Sequence, residues 1–225
     1  MAYAKRTGWL APALAVVVTA FLLFSLPPYF TGDTRVPSTF GMHYPLLVAH
    51  VMFGSVAMVA AVAQIWPRLR RRHPVLHRRV GRVYVGAAIP AAGFAMVIGA
   101  ATPFGPLLAV SNVLLGAVWL WFTINGLTAA RQRRFADHRR HMMRSATVAL
   151  STITNRMWTP VLFISLQPLQ DRVFGGNDEH YLWFVAGLGA WLGWTIPLAT
   201  VQWWLTRKRP DPPSPISQAV LISPR

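Results

Sequence analysis

The chain has 225 residues, of which 54% are hydrophobic and 12% charged, with a formal net charge of +16. A soluble domain carries about 25% charged residues, so this composition excludes an ordinary soluble surface. Cysteine is absent, which excludes disulfides, thiolate nucleophiles, CxxCH haem attachment and cysteine-based zinc or iron–sulfur sites together.

The first apolar run covers 9–30 and follows a cytoplasmic N-terminus, 1–8, that carries Lys5 and Arg6. It is longer than a signal-peptide core, and Ser25-Leu26-Pro27-Pro28 offers no small-x-small cleavage site, so it reads as a retained anchor. A polar outer loop, 31–44, leads to a second span at 45–66. An inner loop then gathers Arg68, Arg70, Arg71, Arg72, Arg78, Arg79 and Arg82. The third span is 83–101, and Thr102-Pro103-Phe104-Gly105-Pro106 turns the chain back into a fourth at 107–130. A second inner loop holds Arg131, Arg133, Arg134, Arg139, Arg140 and Arg144. The fifth span is 145–166, an outer loop includes 171–180, and the sixth span is 181–205. The tail, 206–225, is rich in proline and reads as disordered.

Nineteen of the 22 Lys and Arg residues thus abut one end of these runs, counting Arg207, Lys208, Arg209 and Arg225 with those above. The outer loops hold Arg35 and Arg172 against Asp33, Asp171, Asp178 and Glu179. The positive-inside rule turns this asymmetry into a topology. The expected fold is an all-α integral membrane protein, a six-helix transmembrane bundle with both termini in the cytoplasm, multi-pass in the cytoplasmic (inner) membrane. Charge stacked at helix ends points to the lipid bilayer and its anionic headgroups at the inner face, not to nucleic acid. Small residues mark close helix packing: Ala91, Ala95 and Gly99 in the third span, Gly189 and Gly193 in the sixth.

Four groups break the apolar pattern. His50 lies about a turn inside the second span, with Gly54 one turn deeper. Arg156 lies near the middle of the fifth span between Thr152 and Thr159. An intramembrane arginine must face the bundle and meet an acceptor. No carboxylate lies in the spans, so its expected partners are backbone carbonyls, Asn112, water or the acid group of a bound cofactor or lipid. The other two groups are the inner motifs, His77-Arg78-Arg79 with Arg82 and Tyr84, and His138-Arg139-Arg140 with His141, Met142 and Arg144. Both precede a span that returns outward. They suggest two weakly repeated helical hairpins, with His77 and His138 in equivalent positions on one membrane face.

In this order these residues resemble the bacterial membrane family known as domain of unknown function 2306, over about 45–204. The pattern falls on His50, Gln64, His77, Arg78, Gly81, Arg82, Tyr84, His138, Met142, Arg144, Ser145 and Arg156. The chain departs from it in two places: His141 stands where the family has Trp, and Gln202 where it has an acidic residue. The resemblance implies a membrane bundle and supplies no activity.

The layout is also similar to multi-helix b-type cytochromes, in which imidazoles on facing helices hold haem. On that reading His77 and His138 ligate an inner haem b, and His50 with His43 or His180 ligates an outer one. Arg82, Arg144, Arg156 and Tyr84 then line the cofactor, the arginines pairing with propionates. The expected role is electron transfer, with a quinone or redox partner. Two haems need four intramembrane histidines, and only His50 is clearly inside a span. The alternative is a non-enzymatic assembly factor or transporter-like component whose His and Arg residues bind lipid, an anion or a partner. A hydrolase is disfavoured, because no HExxH, GxSxG or P-loop string is present.

Overall fold

The computed structural model describes residues 9–32 and 36–207, and these form helices without strands. The stretch 1–8, residues 33–35 and the tail from 208 onward lie outside the described residues. That removes Lys5, Arg6, Asp33, Arg35, Lys208, Arg209 and Arg225 from the structural account. Nine helices are described: α1 (Leu10–Ser25), α2 (Pro27–Thr31), α3 (His43–Ile65), α4 (Pro67–Arg72), α5 (Pro74–Ala100), α6 (Pro106–Arg131), α7 (Phe135–Ser165), α8 (Gln167–Phe174) and α9 (Asp178–Arg207).

Five segments are long and apolar enough to cross a membrane: α1 with α2, then α3, α5, α6 and α9. The first is interrupted at Leu26, where Pro27 and Pro28 restart the helix. At 31 residues, α7 is the longest helix, about 46 Å from end to end, but Arg144 and Arg156 keep its composition more polar. The inner motifs, expected as loops, are helical. The helix of the third span begins at Pro74 and that of the fifth at Phe135, so both His-Arg-Arg motifs lie within the first two turns. Arginine, alanine and methionine are good helix formers, so a helix can continue past the lipid boundary that hydropathy detects. Likewise Thr206 and Arg207, placed in the tail by sequence, complete α9.

The α6–α7 turn is tight. Arg134 N–H reaches Ala129 O at 2.8 Å and Arg133 N–H reaches Ala130 O at 3.1 Å, a Schellman closure that puts Arg133 at φ 59°.

The dominant packing partners are α3 with α5 and α7 with α9, followed by α5 with α6 and α6 with α7. The α3–α5 seam is built on Ala57, Ala60, Ala61, Ala87, Ala88 and Ala91. Such small side chains let backbones approach where lipid supplies no hydrophobic drive. On α9, a Cβ at Gly193 would lie 2.7 Å from Asn155 Cα, and one at Gly189 3.0 Å from Thr159 Oγ1. The GxxxG face of the last helix therefore seats directly on α7.

A chain of hydroxyls ties α5, α6 and α7 together. Trp119 Nε1 donates to Tyr84 Oη at 3.2 Å, Tyr84 Oη lies 2.6 Å from Ser145 Oγ, and Ser145 Oγ lies 2.7 Å from Thr123 Oγ1. Thr123 Oγ1 donates to Trp119 O at 2.7 Å. An indole N–H only donates and a carbonyl only accepts, so the two ends fix the direction of every proton between them. Tyr84, Thr123 and Ser145 are all but inaccessible. Tyr84→Phe leaves the Trp119 N–H without its acceptor, and we expect a loss of about 1–3 kcal/mol. Thermal unfolding in detergent measures it; Ser145→Ala added to Tyr84→Phe should cost less than the two single changes together.

Candidate functional site

The bundle has a basic end, where α3, α6 and α9 finish and α5 and α7 begin, and an opposite end with few charges. A cavity of about 650 Å³ opens in the half towards the weakly charged end. Its wall includes residues of α1, α3, α5, α6, α7 and α9, and joins the two intramembrane groups picked out by sequence. His50 and Arg156 both line it. His50 lies about 10 Å along α3 from its first residue and Arg156 about 14 Å from the last residue of α7, so each is two to three turns in from the weakly charged end of its helix.

His50 is half-buried, and its Nδ1 is 2.8 Å from Ala91 O. A carbonyl only accepts, so Nδ1 carries the proton and Nε2 of the neutral ring keeps its lone pair. Gly54, one turn deeper, also lines the cavity, and a Cβ added there meets nothing within 4 Å. The absent side chain at Gly54 makes part of the space.

Arg156 was expected to face the bundle and meet an acceptor. It lines the cavity with Thr152, Asn155 and Thr159 of its own helix and Asn112 of α6. Its guanidinium is nevertheless exposed at the cavity edge, and no hydrogen bond or ion pair joins it to a described residue. No carboxylate is among the described residues of the wall. The cavity therefore holds one fixed positive charge, one imidazole lone pair, several amide and hydroxyl groups, and a largely apolar remainder.

His43 and His180, the proposed partners of His50, fall differently. His43 is 2% exposed and lines the cavity. Thr39 N–H donates to its Nδ1 at 3.1 Å while the Thr39 hydroxyl donates to Ala101 O at 2.7 Å. His43 thereby pins the chain before α3 to the end of α5. His180 is exposed, lies with its ring tilted 57° to the Trp183 ring at 5.6 Å, and is not part of the cavity wall.

At the basic end, His77 and His138 lie within electrostatic reach of each other. Gln64 Nε2 donates to His77 O at 2.8 Å, which fixes the backbone there, while His77 Nδ1 is buried without a partner. His138 Nδ1 is 2.8 Å from Gly126 O, so its Nε2 also keeps a lone pair. No group of three or more His, Asp or Glu residues suited to a metal ion occurs among the described residues. Arg70, on α4, is pushed below the usual arginine range by burial, then by Arg139 and Arg71. Two separate arginine patches thus converge without a carboxylate between them, because Asp137 serves Arg134 at 2.8 Å and Arg140 at 3.9 Å.

The remaining residues read from sequence have structural partners or none. Arg82 is exposed. Tyr84 belongs to the buried hydroxyl chain. Arg144 donates twice to Gln202 Oε1, at 2.9 and 2.7 Å, and stands 5.6 Å over the Phe122 ring. His141 lies 6.1 Å from the same ring. Gln202 thus offers Arg144 a neutral acceptor, and His141 makes an aromatic contact with Phe122. Ser55 and Asn155, which complete the cavity wall, were not singled out by sequence. A usable signal existed for Asn155, since it falls in the polar run Ser151, Thr152, Thr154, Asn155, Arg156 and Thr159 of α7.

A family model described as a predicted membrane protein, DUF2306, matches residues 47–205. The chain belongs to the DUF2306 family. No curated protein and no solved structure matches it. The DUF2306 match contains His50, His77, His138, Arg144, Arg156 and Gln202, but starts inside α3. The α1 and α2 helices, which close one side of the cavity, precede it.

Burial, followed by Arg144, pushes the His141 imidazole below its ordinary value of 6.5, against an opposing pull from Asp137. The folded protein then resists a proton that the unfolded chain accepts, so stability should fall as pH drops below about 6.5. His141 is partly solvated, which makes the effect small, on the order of a degree or two in melting temperature. Comparing melts at pH 7.5 and pH 5.5, His141→Phe should lose part of the acid sensitivity of the wild type; an unchanged pH response would remove His141 as its source.

Proposed function

We propose that this DUF2306 protein is a non-enzymatic ligand-binding component of the cytoplasmic membrane. It crosses the membrane six times with both termini in the cytoplasm, and it binds an acidic ligand in its outer-half cavity. In the sequence, the four basic patches each abut the same end of an apolar run, which supports the orientation. Against the hydropathy of α7 stands its packing between α6 and α9, both long and apolar enough to span, which supports counting α7 as a crossing.

One observation carries the functional reading: Arg156 and His50 line the same largely apolar cavity, and Arg156 has no anionic partner among the described residues. A charged guanidinium at membrane depth costs at least about 2.5–3.5 kcal/mol on insertion scales, and an acid group of the ligand is the natural counter-charge. Pockets of roughly 300–1,000 Å³, mainly apolar with a few placed polar groups, suit small-molecule ligands. The inner basic face, with Arg70 and Arg139 converging, supports contact with anionic headgroups.

The test uses the purified full chain and hexanoate, titrated by calorimetry. Arg156→Ala should weaken binding at least about tenfold, and Arg156→Lys should restore much of it. Equal binding by the wild type and Arg156→Ala would exclude this reading.

A second reading, haem binding with electron transfer, is favoured by one feature. His50 and His138 each donate Nδ1–H to a carbonyl of a neighbouring helix, the arrangement that orients an imidazole as a metal ligand. His138 with His77 would hold the iron, and the group would supply one-electron chemistry. On this reading the protein purified from haem-replete cells gives a Soret band that His138→Ala abolishes; absence of the band after reconstitution ends it.

A further inference from the structure

The cavity is not sealed on all sides. α1 packs on α3 and makes no comparable contact with α7 or α9, yet Phe21, Leu22 and Ser25 of α1 share the cavity wall with Arg156 and Pro160 of α7. Arg156 and Pro160 are exposed. The opening therefore lies on the flank of the bundle, between α1 and α7, where the membrane would be. At the same place Ser25 Oγ is buried without a partner, immediately before the α1–α2 break. A ligand arriving by this route comes from the bilayer and not from water.

The polar groups restrict what its head can be. Arg156 only donates, so it selects an acidic oxygen. In its neutral form His50, with Nδ1–H committed to Ala91 O, only accepts at Nε2 and so selects a hydroxyl. A fully ionised carboxylate satisfies the first and repels the second. A monoprotonated phosphate monoester carries both an anionic oxygen and an O–H. The rest of the wall, including Leu47, Met58, Leu108 and Leu115, is apolar and suits a hydrocarbon tail. At about 650 Å³ the space matches one chain and not a whole two-chain lipid.

We propose that the cavity takes a single-chain lipid phosphate, its head held by Arg156 and His50 and its chain entering sideways between α1 and α7 from the outer leaflet. This rests on the anion-binding reading above and adds the hydroxyl, the chain and the route. The phosphate could belong to a lysolipid or to an isoprenoid phosphate, which share this chemistry.

The experiment titrates the full chain in nanodiscs with hexadecyl phosphate, hexadecanoate and hexadecanol, and with hexyl phosphate as the short probe. Farnesyl phosphate and a lysophosphatidate then separate the two sources. Hexadecyl phosphate should bind at least about tenfold more tightly than either other long-chain probe, and His50→Phe should erase its advantage over hexadecanoate. Gly54→Leu, which fills open space, should weaken hexadecyl phosphate about tenfold and hexyl phosphate several-fold less; Gly54→Val is the smaller second variant. Because the chain has no cysteine, Ser25→Cys places a single thiol at the opening. A lipid-dissolved maleimide should label it faster than a water-soluble one, and hexadecyl phosphate should protect it. If hexanoate binding depends on Arg156 but chain length and Gly54→Leu have no effect, the lipid is wrong and the anion site stands. If Ser25→Cys reacts equally with both maleimides, the sideways route is wrong. If Arg156→Ala leaves every probe unchanged, both readings fail.

Discussion

In a bilayer there is no water to receive a stray hydrogen bond, so each polar group within the bundle must find a partner in the protein or its ligand. The Trp119–Tyr84–Ser145–Thr123 chain meets this demand by running in one direction from an indole donor to a carbonyl acceptor. It fixes α5, α6 and α7 against each other beside the alanine-lined seam of α3 and α5. The position of α7 then determines where Arg156 emerges, and the position of α5 determines which carbonyl orients His50. The cavity is thus held open by a polar joint that lies deeper towards the basic end.

The same demand explains the contrast between the polar joint and the cavity. Tyr84, Thr123 and Ser145 are satisfied among themselves and make a rigid core. Arg156, the His50 lone pair and Ser25 Oγ are left with capacity to spare around one space. Unmet polar capacity beside an apolar cavity is expensive in a membrane unless something else supplies the partners. That difference separates the internally satisfied cluster from the groups around the cavity, although both consist of ordinary polar side chains.

Much of the architecture was legible in one dimension. Apolar run length placed the long helices within a few residues at their weakly charged ends, as with 45–66 against His43–Ile65 and 107–130 against Pro106–Arg131. It failed at the basic ends of α5 and α7, because hydropathy reports the lipid boundary and an arginine-rich helix need not stop there. The small residues at Gly189 and Gly193 announced a close helix contact, and α7 is what they meet. Tyr84 was read as a cofactor-facing residue because it sits beside the basic motif. Only the packing reveals that it points across the bundle to Ser145, since one helical turn suffices to move a side chain from the interface to the core.

Sequence by itself determined that the protein lives in a membrane, that its positive charge gathers at one end, and that His50 and Arg156 are polar exceptions within apolar surroundings. Composition and periodicity carry that information because lipid imposes a one-dimensional rule on every crossing segment. Tertiary structure alone decided that those two residues, 106 positions apart in the chain, share one cavity while Tyr84 and Arg144 do not. It also decided which imidazole nitrogen is free, because that depends on the carbonyl of a neighbouring helix. Partners of this kind are set by helix rotation and packing distance, which no local pattern in the sequence specifies.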